Sequence, residues 1–591
     1  MDCRHRCDRK AYHVLMLGGR GNMKFLLTAI NAKYIHSNLA VYELYAYAMQ
    51  YKAPDLPLEF AIAEYTINQH VDEILGEIYK QRPDVLCFSC YIWNIGYVTE
   101  LVREYRKLCP GVPVWVGGPE VSYETERLLL EYPQITGAML GEGEQTFLEL
   151  CEYYAGRDGE LGKIAGIAYR DDTGIWITSP REPIPMDRIP FCYGVTGDFR
   201  NRIIYYESSR GCPFCCSYCL SSVEKRLRFR SVETVKKELA FFLEKQVPQV
   251  KFVDRTFNCS HEHAMEIWRF IHENDNGITN FHFEISADLL TKEELELLGR
   301  MRPGLVQLEI GVQSTNEATI GEIHRTMDIE KLKNAVRAIQ SRNNIHEHLD
   351  LIAGLPYEDY EMFAKSFDEI YALKPNQLQL GFLKVLKGSY LYEHREEYGI
   401  LYRDTPPYGV MQTDWLTFEE LLCIRQVEEM LEIYYNSGQY DVTMKLLETQ
   451  FESPFRMFRR LGEFYEEKGY FSMSHSRIRR AGILLEFAEE ETGTADGIWK
   501  ESLTYDLYTR ENLKSRPGWA PDAAEWKGIT RKFCKNGKQS HVERFYYCFP
   551  DKCERTTDRL PERLKEPKYV LFDYTERDPL DRQALQQYVN A

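Results

Sequence analysis

Three cysteines lie close together in the segment from Arg210 to Cys219, in the order Cys-x3-Cys-x2-Cys. Cys212, Cys216 and Cys219 follow this spacing, and Cys215 falls outside it as a spare thiol. Soft thiolate ligands select iron–sulfur and zinc centres. Three thiolates in one short loop would hold three irons of a cubane cluster and leave the fourth iron open to a small chelating substrate.

A zinc knuckle and a structural disulfide pair are the alternative interpretations of these cysteines. A zinc knuckle needs a fourth Cys or His close by, but no histidine lies between Cys192 and Phe257. The chain has 16 cysteines, scattered apart from this loop, which favours reduced thiols over a disulfide framework. The spacing therefore favours an iron–sulfur cluster.

The cysteine spacing resembles the cluster loop of the radical S-adenosylmethionine (SAM) enzymes, in which SAM occupies the open iron. Residues 202–209, just before the loop, alternate apolar side chains as a strand does. The loop would then follow the first strand of a parallel α/β barrel, at the end where such barrels carry their chemistry. The resemblance implies a 4Fe–4S cluster held by Cys212, Cys216 and Cys219, which cleaves SAM reductively.

Strand patterns recur after the loop at 250–254, 281–286, 306–313, 348–356 and 377–386. With the strand before the loop they make six, the partial (β/α)6 barrel that radical SAM enzymes share. The segment after the second strand departs from the Gly-Gly-Glu-like element of that family, so only its position is informative. Polar residues and a glycine at the strand ends are the predicted SAM contacts: Asp254, Glu284, Ser286, Gln313, Ser314 and Gly354.

From Met23 to about residue 165, apolar strands alternate with amphipathic helices, which predicts a parallel sheet covered on both faces. Such a sheet binds ligands at the carboxyl ends of its strands. Ser89 and Gly117-Gly118 match loop positions of the cobalamin-binding domain, and Tyr91 replaces a leucine of that pattern. This resemblance implies a set of cobalamin contacts: Ser89, Tyr91, Gly117, Gly118, Gly141 and Glu142.

The loop after the first strand lacks the Asp-x-His-x-x-Gly element that supplies the histidine below cobalt in many cobalamin proteins. His36 lies in this region without the flanking Asp and Gly. It is a candidate cobalt ligand, with helix capping or contact with the ligand's edge as the alternatives. The alternative for the whole domain is a flavodoxin-like fold that holds a flavin or no ligand.

The chain of 591 residues is long enough for several domains. The predicted class is α/β, with a Rossmann-like cobalamin-binding domain, a partial barrel and a mainly α C-terminal domain. The expected segments are a disordered or wrongly started tail at 1–22, the first domain at 23–165, a linker with a hairpin at 166–200, the barrel at 201–400 and the C-terminal domain at 401–591. In the last domain we expect packing rather than metal binding from Cys534, His541, Cys548 and Cys553.

A net charge of −17 argues against a surface for duplex nucleic acid. No second cysteine triad supports a tRNA-modifying enzyme of the thiolating kind. No run of eighteen apolar residues exists and the first 21 residues lack an export signal, so we expect a cytoplasmic protein without membrane or nucleic-acid partners. An oxygen-sensitive cluster favours an anaerobic or reducing cell.

Residues 23–390 resemble the cobalamin-binding radical SAM enzymes, a group that includes the anaerobic Mg-protoporphyrin ester cyclase type. The resemblance implies a 4Fe–4S cluster, SAM and cobalamin as cofactors, and an electron donor such as flavodoxin or ferredoxin. It favours methyl transfer to an unactivated carbon of a small molecule. Radical cyclisation or rearrangement without methyl transfer, and a non-catalytic cobalamin or SAM sensor, are the alternatives.

Overall fold

The computed structural model describes residues 22–157, 159–194, 202–223, 225–494, 497–534, 539–549 and 560–590. The chain divides into two units. The first unit holds the described residues through Glu284, together with 384–395 and 402–409. The second unit holds 285–383, 396–401 and the described residues from Val410 onward. The predicted N-terminal tail, apart from Asn22, lies outside the described residues.

A seven-stranded sheet opens the first unit, in the order β2-β1-β3-β4-β5-β6-β7. The first five strands in this order are parallel, and β6 and β7 add antiparallel at one edge. The predicted hairpin is therefore present, and it extends the first sheet rather than standing apart as a linker. The strands are β1 Met23–Asn31, β2 Leu58–Thr66, β3 Val85–Ser89, β4 Val114–Gly117, β5 Gly137–Met139, β6 Ile167–Asp171 and β7 Gly174–Ile177.

Helices cover both faces of this sheet. Its central strands are continuously apolar, as strands buried on both faces must be. All five residues of β3 are buried, as are the last seven of β1. The Asn38 side chain accepts a hydrogen bond from Val41 N and so caps the first helix. The helices are α1 Leu39–Tyr51, α2 Val71–Gln81, α3 Ile95–Leu108, α4 Thr125–Glu131 and α5 Glu144–Tyr154.

The first three strands predicted for the barrel also lie in the first unit. They are β8, β11 and β12, and β11 pairs in parallel with both of the others. Between them the cysteine loop is bracketed by a short antiparallel pair, β9 with β10. The elements are β8 Ile203–Tyr206, β9 Ser209–Arg210, β10 Arg228–Phe229, α6 Val232–Glu244, β11 Gln249–Phe252, α7 His261–Glu273 and β12 Asn280–Ile285.

The other three predicted barrel strands, β13, β14 and β15, are parallel neighbours in the second unit. Leu308, Ile310 and Val312 of β13 are fully buried, whereas the intervening residues are only partly buried. All six predicted strands are thus present, three in each unit. The elements along this part of the chain, of which α12 and Tyr402 belong to the first unit, are α8 Lys292–Leu298, β13 Val306–Gln313, α9 Glu317–Glu322, α10 Ile329–Gln340, β14 His346–Ala353, α11 Tyr360–Tyr371, β15 Gln377–Phe382, α12 Tyr390–Glu393, β16 Leu401–Tyr402 and β17 Val410–Gln412.

Helices dominate the rest of the second unit, as predicted, and an antiparallel sheet β18-β19-β20 follows them. A five-residue π-helix at Glu432–Asn436 ends the first of these helices. Its Asn436 amide accepts from Leu378 N and donates to Leu378 O of β15, at 2.9 and 2.8 Å. The elements are α13 Phe418–Leu431, α14 Asp441–Glu448, α15 Pro454–Glu467, α16 Arg477–Thr492, α17 Ile498–Arg510, α18 Lys527–Phe533, β18 Ser540–Phe545, β19 Lys568–Arg577 and β20 Ala584–Val589.

Among the described residues of this domain, Cys534, His541 and Cys548 do not form a group that could hold a metal ion. His541 Nε2 lies 2.6 Å from Glu543 Oε1, and its ring stacks on Tyr508 at 3.8 Å. Cys553 lies outside the described residues. Within the described part of the chain, no helix combines the length and apolar character needed to cross a bilayer.

Candidate functional site

The cysteine loop lies directly after β9 and is shaped by Gly211. This glycine has φ of 91°, and a Cβ there would lie 2.5 Å from the carbonyl oxygen of Arg226. Only glycine suits this position, because the backbone is left-handed and has another chain segment against it. Cys216 is buried, Cys212 and Cys219 are partly exposed, and Cys215 is exposed.

The loop offers a donor set that suits a cubane cluster. Cys219 N donates to Cys216 O at 3.1 Å, so one turn holds the second and third cysteines together. Thr256 Oγ1 lies 3.9 Å from Cys212 Sγ. None of the loop's four cysteines is in a disulfide. Cys212, Cys216 and Cys219 would hold a 4Fe–4S cluster through their sulfurs, and their assignment as its ligands stays a prediction.

Asp254, a predicted SAM contact, lies at the end of β11 with its carboxylate engaged by the strand before the cysteines. Ser208 Oγ and Ser209 Oγ each donate to Oδ1 at 2.6 Å, and Ser208 N donates to Oδ2 at 3.0 Å. His263 Nε2 lies 3.1 Å from Ser208 Oγ. Burial raises the pKa of Asp254 to about 6, against the opposing effect of the serine hydrogen bonds. Through these hydrogen bonds Asp254 fixes the segment that leads into the cluster loop.

Arg210, two residues before Cys212, is the centre of a largely buried ion network that we call the Arg210 hub. The hub comprises Arg210 and the carboxylates of Glu43, Glu142, Glu144 and Glu207. Arg210 nitrogens lie 2.6 Å from both Glu144 and Glu207, 3.1 Å from Glu43 and 3.4 Å from Glu142. Glu142 and Glu144 belong to the loop after β5, so the hub joins a predicted cobalamin loop to the cluster loop.

The hub residues differ in their electrostatic state. Burial and the neighbouring Glu207 raise the pKa of Glu43. Burial would also raise the pKa of Glu144, but Arg210 and Arg228 outweigh it, so that this pKa is lowered. Arg228 also forms an ion pair with Glu142. The predicted cobalamin contact Glu142 is therefore an ion-pair partner of two arginines.

The loops after β3 and β4 meet at the carboxyl edge of the first sheet. Cys90 N donates to Gly117 O at 2.7 Å. Gly118 has φ of 115°, and a Cβ there would lie 2.5 Å from Cys90 O. Ser89 is buried, and its carbonyl accepts from Asn94 Nδ2 at 2.9 Å. The structure thus brings together three of the predicted cobalamin contacts, Ser89, Gly117 and Gly118.

Tyr91 presents an aromatic surface at this edge. Its ring stacks on Trp93 at 4.3 Å with an interplanar angle of 7°. Tyr91 N donates to Asn94 Oδ1 at 2.8 Å, and Asn94 Nδ2 donates to Ile30 O at 3.0 Å. Gly141, after β5, has φ of 72° and no atom within 4 Å of the position of a Cβ. An aromatic pair and glycines at the strand ends fit a flat ligand such as a corrin.

The loop after β1, which carries His36, is attached to β8. His36 Nδ1 lies 2.6 Å from Tyr205 Oη, and the two rings stack. Ile203 N donates to Ile35 O at 2.7 Å, and Ser37 Oγ donates to Ile203 O at 2.9 Å. Burial lowers the pKa of His36, and Lys33 and Lys251 add to this effect. The imidazole therefore has a structural partner, and its role as a cobalt ligand stays a prediction.

Residues that follow β15 in the chain return to the loop after β4 within the first unit. Tyr408 donates to Glu120, and Tyr392 donates to Glu124. Leu391 N donates to Ser217 O of the cysteine loop at 2.9 Å. Burial raises the pKa of Glu120 against the opposing effects of Tyr408 and Lys387. The segment therefore contacts both predicted cofactor loops.

Three predicted SAM contacts lie at the carboxyl ends of β13 and β14 in the second unit. Gln313 has φ of 74°. Ser314 Oγ donates to Glu358 at 2.6 Å, and burial raises the pKa of Glu358 to about 7. Gly354 has φ of 90°, and a Cβ there would lie 2.8 Å from Val410. The strand ends are where a parallel barrel binds its ligands.

The two predicted SAM contacts from the third barrel strand and its end also have protein partners. Glu284, in the first unit, lies 3.7 Å from Lys251 Nζ. Ser286, in the second unit, donates to Asp288 at 2.6 Å. Their contact with SAM stays a prediction.

The sequence did not predict six residues as part of the site. They are Arg210, Glu43, Glu144 and Glu207 of the hub, together with Asn94 and Thr256. Glu207 and Arg210 are three residues apart just before the cysteines, which was a visible local signal. Glu43 and Glu144 lie far away in the sequence, and their part in the site depends on the packing of the first helix and the fifth strand.

Three family models match the chain, each over one part of it. Residues 27–151 match the B12 binding domain, 206–370 the radical SAM superfamily and 396–556 a protein of unknown function, DUF4080. The radical SAM domain implies a 4Fe–4S cluster and SAM, and the B12 binding domain implies cobalamin. The predicted family resemblance and cofactors are confirmed, and the zinc, disulfide and flavodoxin-like alternatives are not favoured.

Curated relatives include methyltransferases and a cyclase. The chain is 28% identical to the 2-(S-pantetheinyl)-carbapenam-3-carboxylate methyltransferase of Streptantibioticus cattleyicolor, over 48% of this chain and 44% of the relative. It is 23% identical to the anaerobic magnesium-protoporphyrin IX monomethyl ester cyclase of Rubrivivax gelatinosus, over 50% of this chain and 55% of the relative. The chain thus spans about half the length of these curated relatives.

Solved structures confirm the predicted fold class. The radical SAM methyltransferase TsrM from Kitasatospora setae, with tryptophan and a SAM analogue bound, superposes with a TM-score of 0.55 at 18% identity, covering 66% of this chain and 80% of that chain. The cobalamin-dependent SAM radical enzyme OxsB, with aqua-cobalamin and SAM bound, gives 0.54 at 16% identity, covering 82% and 83%. At this identity the likeness concerns the fold.

Proposed function

We propose that this chain, which joins a B12 binding domain to a radical SAM domain, is a methyltransferase that methylates an unactivated carbon of a small molecule. The observation that carries the proposal is the Arg210 hub. It ties the loop after β5 of the cobalamin domain to the residue two places before the first cluster cysteine. The two cofactor loops are thereby held within one unit of the structure.

When bound, the cluster and cobalamin supply one-electron reduction of SAM and methyl transfer. The protein itself would position the cofactors and the substrate and exclude water from them. Asp254 holds Ser208 and Ser209, which fixes the strand that enters the cysteine loop. The Gly118 backbone lies against Cys90, which leaves the edge of the first sheet without a side chain at that point.

Radical cyclisation or rearrangement is the second candidate, and the cyclase among the relatives favours it. The two candidates share the cluster, SAM and cobalamin, so the cofactor loops do not separate them. They differ in the fate of the SAM methyl group, which reaches the product only in methyl transfer. A non-catalytic sensor is supported less, because the cluster loop keeps all three cysteines.

The proposed partners are a small-molecule substrate and a one-electron donor such as flavodoxin or ferredoxin. The methyltransferases among the relatives carry small-molecule substrates in their names. No described feature recommends a nucleic-acid or membrane partner, and the net charge of −17 opposes a nucleic-acid surface.

The test uses the full chain, reconstituted anaerobically with iron, sulfide and cobalamin and given SAM labelled in its methyl group. A small-molecule extract provides candidate substrates, and Cys216→Ala protein is the control. Methyl transfer predicts 5′-deoxyadenosine together with a labelled product that the control lacks. Formation of 5′-deoxyadenosine with an unlabelled new product would favour cyclisation or rearrangement instead, and absence of 5′-deoxyadenosine under all conditions would favour a sensor.

A further inference from the structure

A cavity of about 310 Å³ lies in the C-terminal domain, and no residue of either cofactor loop lines it. It is formed by α13, the end of α15, the loop at 470–475 and the first turn of α16. Its volume is at the lower end of the range for small-molecule sites. The residues that give it chemical character are Glu429, Tyr465, Tyr470, Phe471, His475 and Arg480.

Three rings surround the buried Tyr465 ring on one side of this cavity. The Tyr465 ring centroid lies 5.3 Å from Phe471, 5.6 Å from Tyr470 and 6.3 Å from His475. The Tyr470 and His475 rings stand nearly perpendicular to Tyr465, at 78° and 83°. Aromatic faces set around one space accept apolar side chains and attract cations.

The polar atoms of three of these rings are fixed by hydrogen-bond contacts. Tyr465 Oη lies 2.5 Å from Tyr434 Oη. Tyr470 donates to Glu486 at 2.7 Å, and His475 Nε2 lies 2.8 Å from the carbonyl oxygen of Tyr470. A site held in place before a ligand arrives loses less entropy on binding.

Two opposite charges line the same cavity without pairing. Neither Arg480 nor Glu429 forms an ion pair or side-chain hydrogen bond with any residue that the structure describes, although Arg480 Nε is buried. Partial desolvation of its carboxyl group raises the pKa of Glu429, and the charge of Arg480 opposes this effect. The neighbouring Arg479, in contrast, pairs with Glu486 at 2.9 Å.

From this arrangement we infer that the cavity binds a zwitterionic α-amino acid with an apolar or aromatic side chain. Arg480 would bind the carboxylate, because a guanidinium matches that group geometrically. Glu429 would bind the ammonium group, and the rings around Tyr465 would contact the side chain. The site is independent of the proposed methyl transfer, since it uses no residue of the cofactor loops.

Isothermal titration calorimetry of the full chain, without SAM, tests the inference with L-phenylalanine and L-leucine. The expected result is saturable binding of at least one of them, with a Kd of roughly 0.1–1 mM. N-acetyl-L-phenylalanine and L-phenylalaninamide each lack one of the two charges. Each should bind about ten-fold more weakly or worse, because one charged contact is lost.

Substitutions then assign the site. Arg480→Gln and Glu429→Gln should each weaken binding about ten-fold or more. Glu428→Gln removes a neighbouring charge that does not line the cavity, and it should leave the Kd unchanged. Glu429 is exposed, so its variant keeps the test valid if Arg480→Gln fails to fold.

Three results would overturn the inference. They are no saturable heat with either amino acid up to about 10 mM, equal binding of the singly charged analogues, or an unchanged Kd in both Arg480→Gln and Glu429→Gln. Because no cofactor is present, any of these results leaves the proposed methyl transfer untouched. Loss of cluster or cobalamin binding, conversely, would leave this cavity as it is.

Discussion

Substitution of Arg210 should destabilise the first unit far more than substitution of an exposed arginine. Arg210→Gln removes a guanidinium that lies within 3.1 Å of Glu43, Glu144 and Glu207. Removing one partner of a buried ion pair costs about 3–5 kcal/mol, because the remaining charge is left without compensation. Arg210 lowers the pKa of the buried Glu144, so this carboxylate loses its main compensating charge and we expect a loss within that range.

Arg226→Gln is the matched control. Arg226 pairs with Glu182 at 2.5 Å, but the two side chains are 65% and 83% exposed. Exposed pairs contribute about 0–1 kcal/mol. Urea unfolding of the full-length apoprotein, followed by circular dichroism, compares the two variants with the wild type. A loss in Arg210→Gln no greater than in Arg226→Gln would refute the reasoning from burial.

The pH dependence adds a second test of the hub. The folded pKa of Glu144 lies below its usual value of 4.5, so its stabilisation is present above pH 4.5 and is lost as the pH falls through the folded pKa. The penalty of Arg210→Gln should therefore be largest near neutral pH and shrink in acid. A penalty that is constant from pH 7 down to about 4 would contradict the ionic origin.

Three further predictions concern the cluster, the cobalamin loop and a buried acid. Cys216→Ala should lose the iron and SAM cleavage, whereas Cys215→Ala should retain both, as iron analysis and 5′-deoxyadenosine formation will show. Gly118→Val should abolish cobalamin binding without loss of iron, because its Cβ would meet the Cys90 carbonyl at 2.5 Å; corrin absorbance after desalting measures this. Glu347→Gln should gain stability relative to wild type by a few kcal/mol as the pH rises from about 4.5 to 8, because burial raises the pKa of Glu347 to about 8.

Each of these predictions has a result that contradicts it. Full iron content in Cys216→Ala would remove that residue from the ligand set. Gly156→Val is the control for Gly118→Val, since Gly156 also has positive φ but no atom within 4 Å of a Cβ; equal cobalamin loss in both would make the effect one of backbone strain. A pH-independent difference for Glu347→Gln would mean that this carboxyl is already ionised in the folded protein.

The sequence predicted the architecture well, because local patterns determine it. β3 is a continuous apolar run, and β13 alternates buried and partly buried residues, so both were visible as strands. The cluster loop was recognisable because its three cysteines are neighbours in the chain. The three-stranded sheet after α18 was not part of that prediction, which described the C-terminal domain as mainly α.

The side-chain contacts in the site could not be predicted from the sequence. Asp254 was predicted from its strand-end position to contact SAM, but its hydrogen bonds to Ser208 and Ser209 depend on two strands lying side by side. Glu142 was predicted from its loop to contact cobalamin, and it pairs with Arg210 and Arg228. Such contacts join residues far apart in the chain, and local periodicity carries no information about them.

Anaerobic reconstitution of the full chain with iron, sulfide and cobalamin is the most direct test of a two-cofactor enzyme. Iron content and the visible spectrum are measured together on the desalted protein. The proposed function predicts about four irons per chain, the number in one cubane, together with a retained corrin spectrum. Four irons without a corrin spectrum would contradict it and leave a radical SAM protein whose first domain has another role.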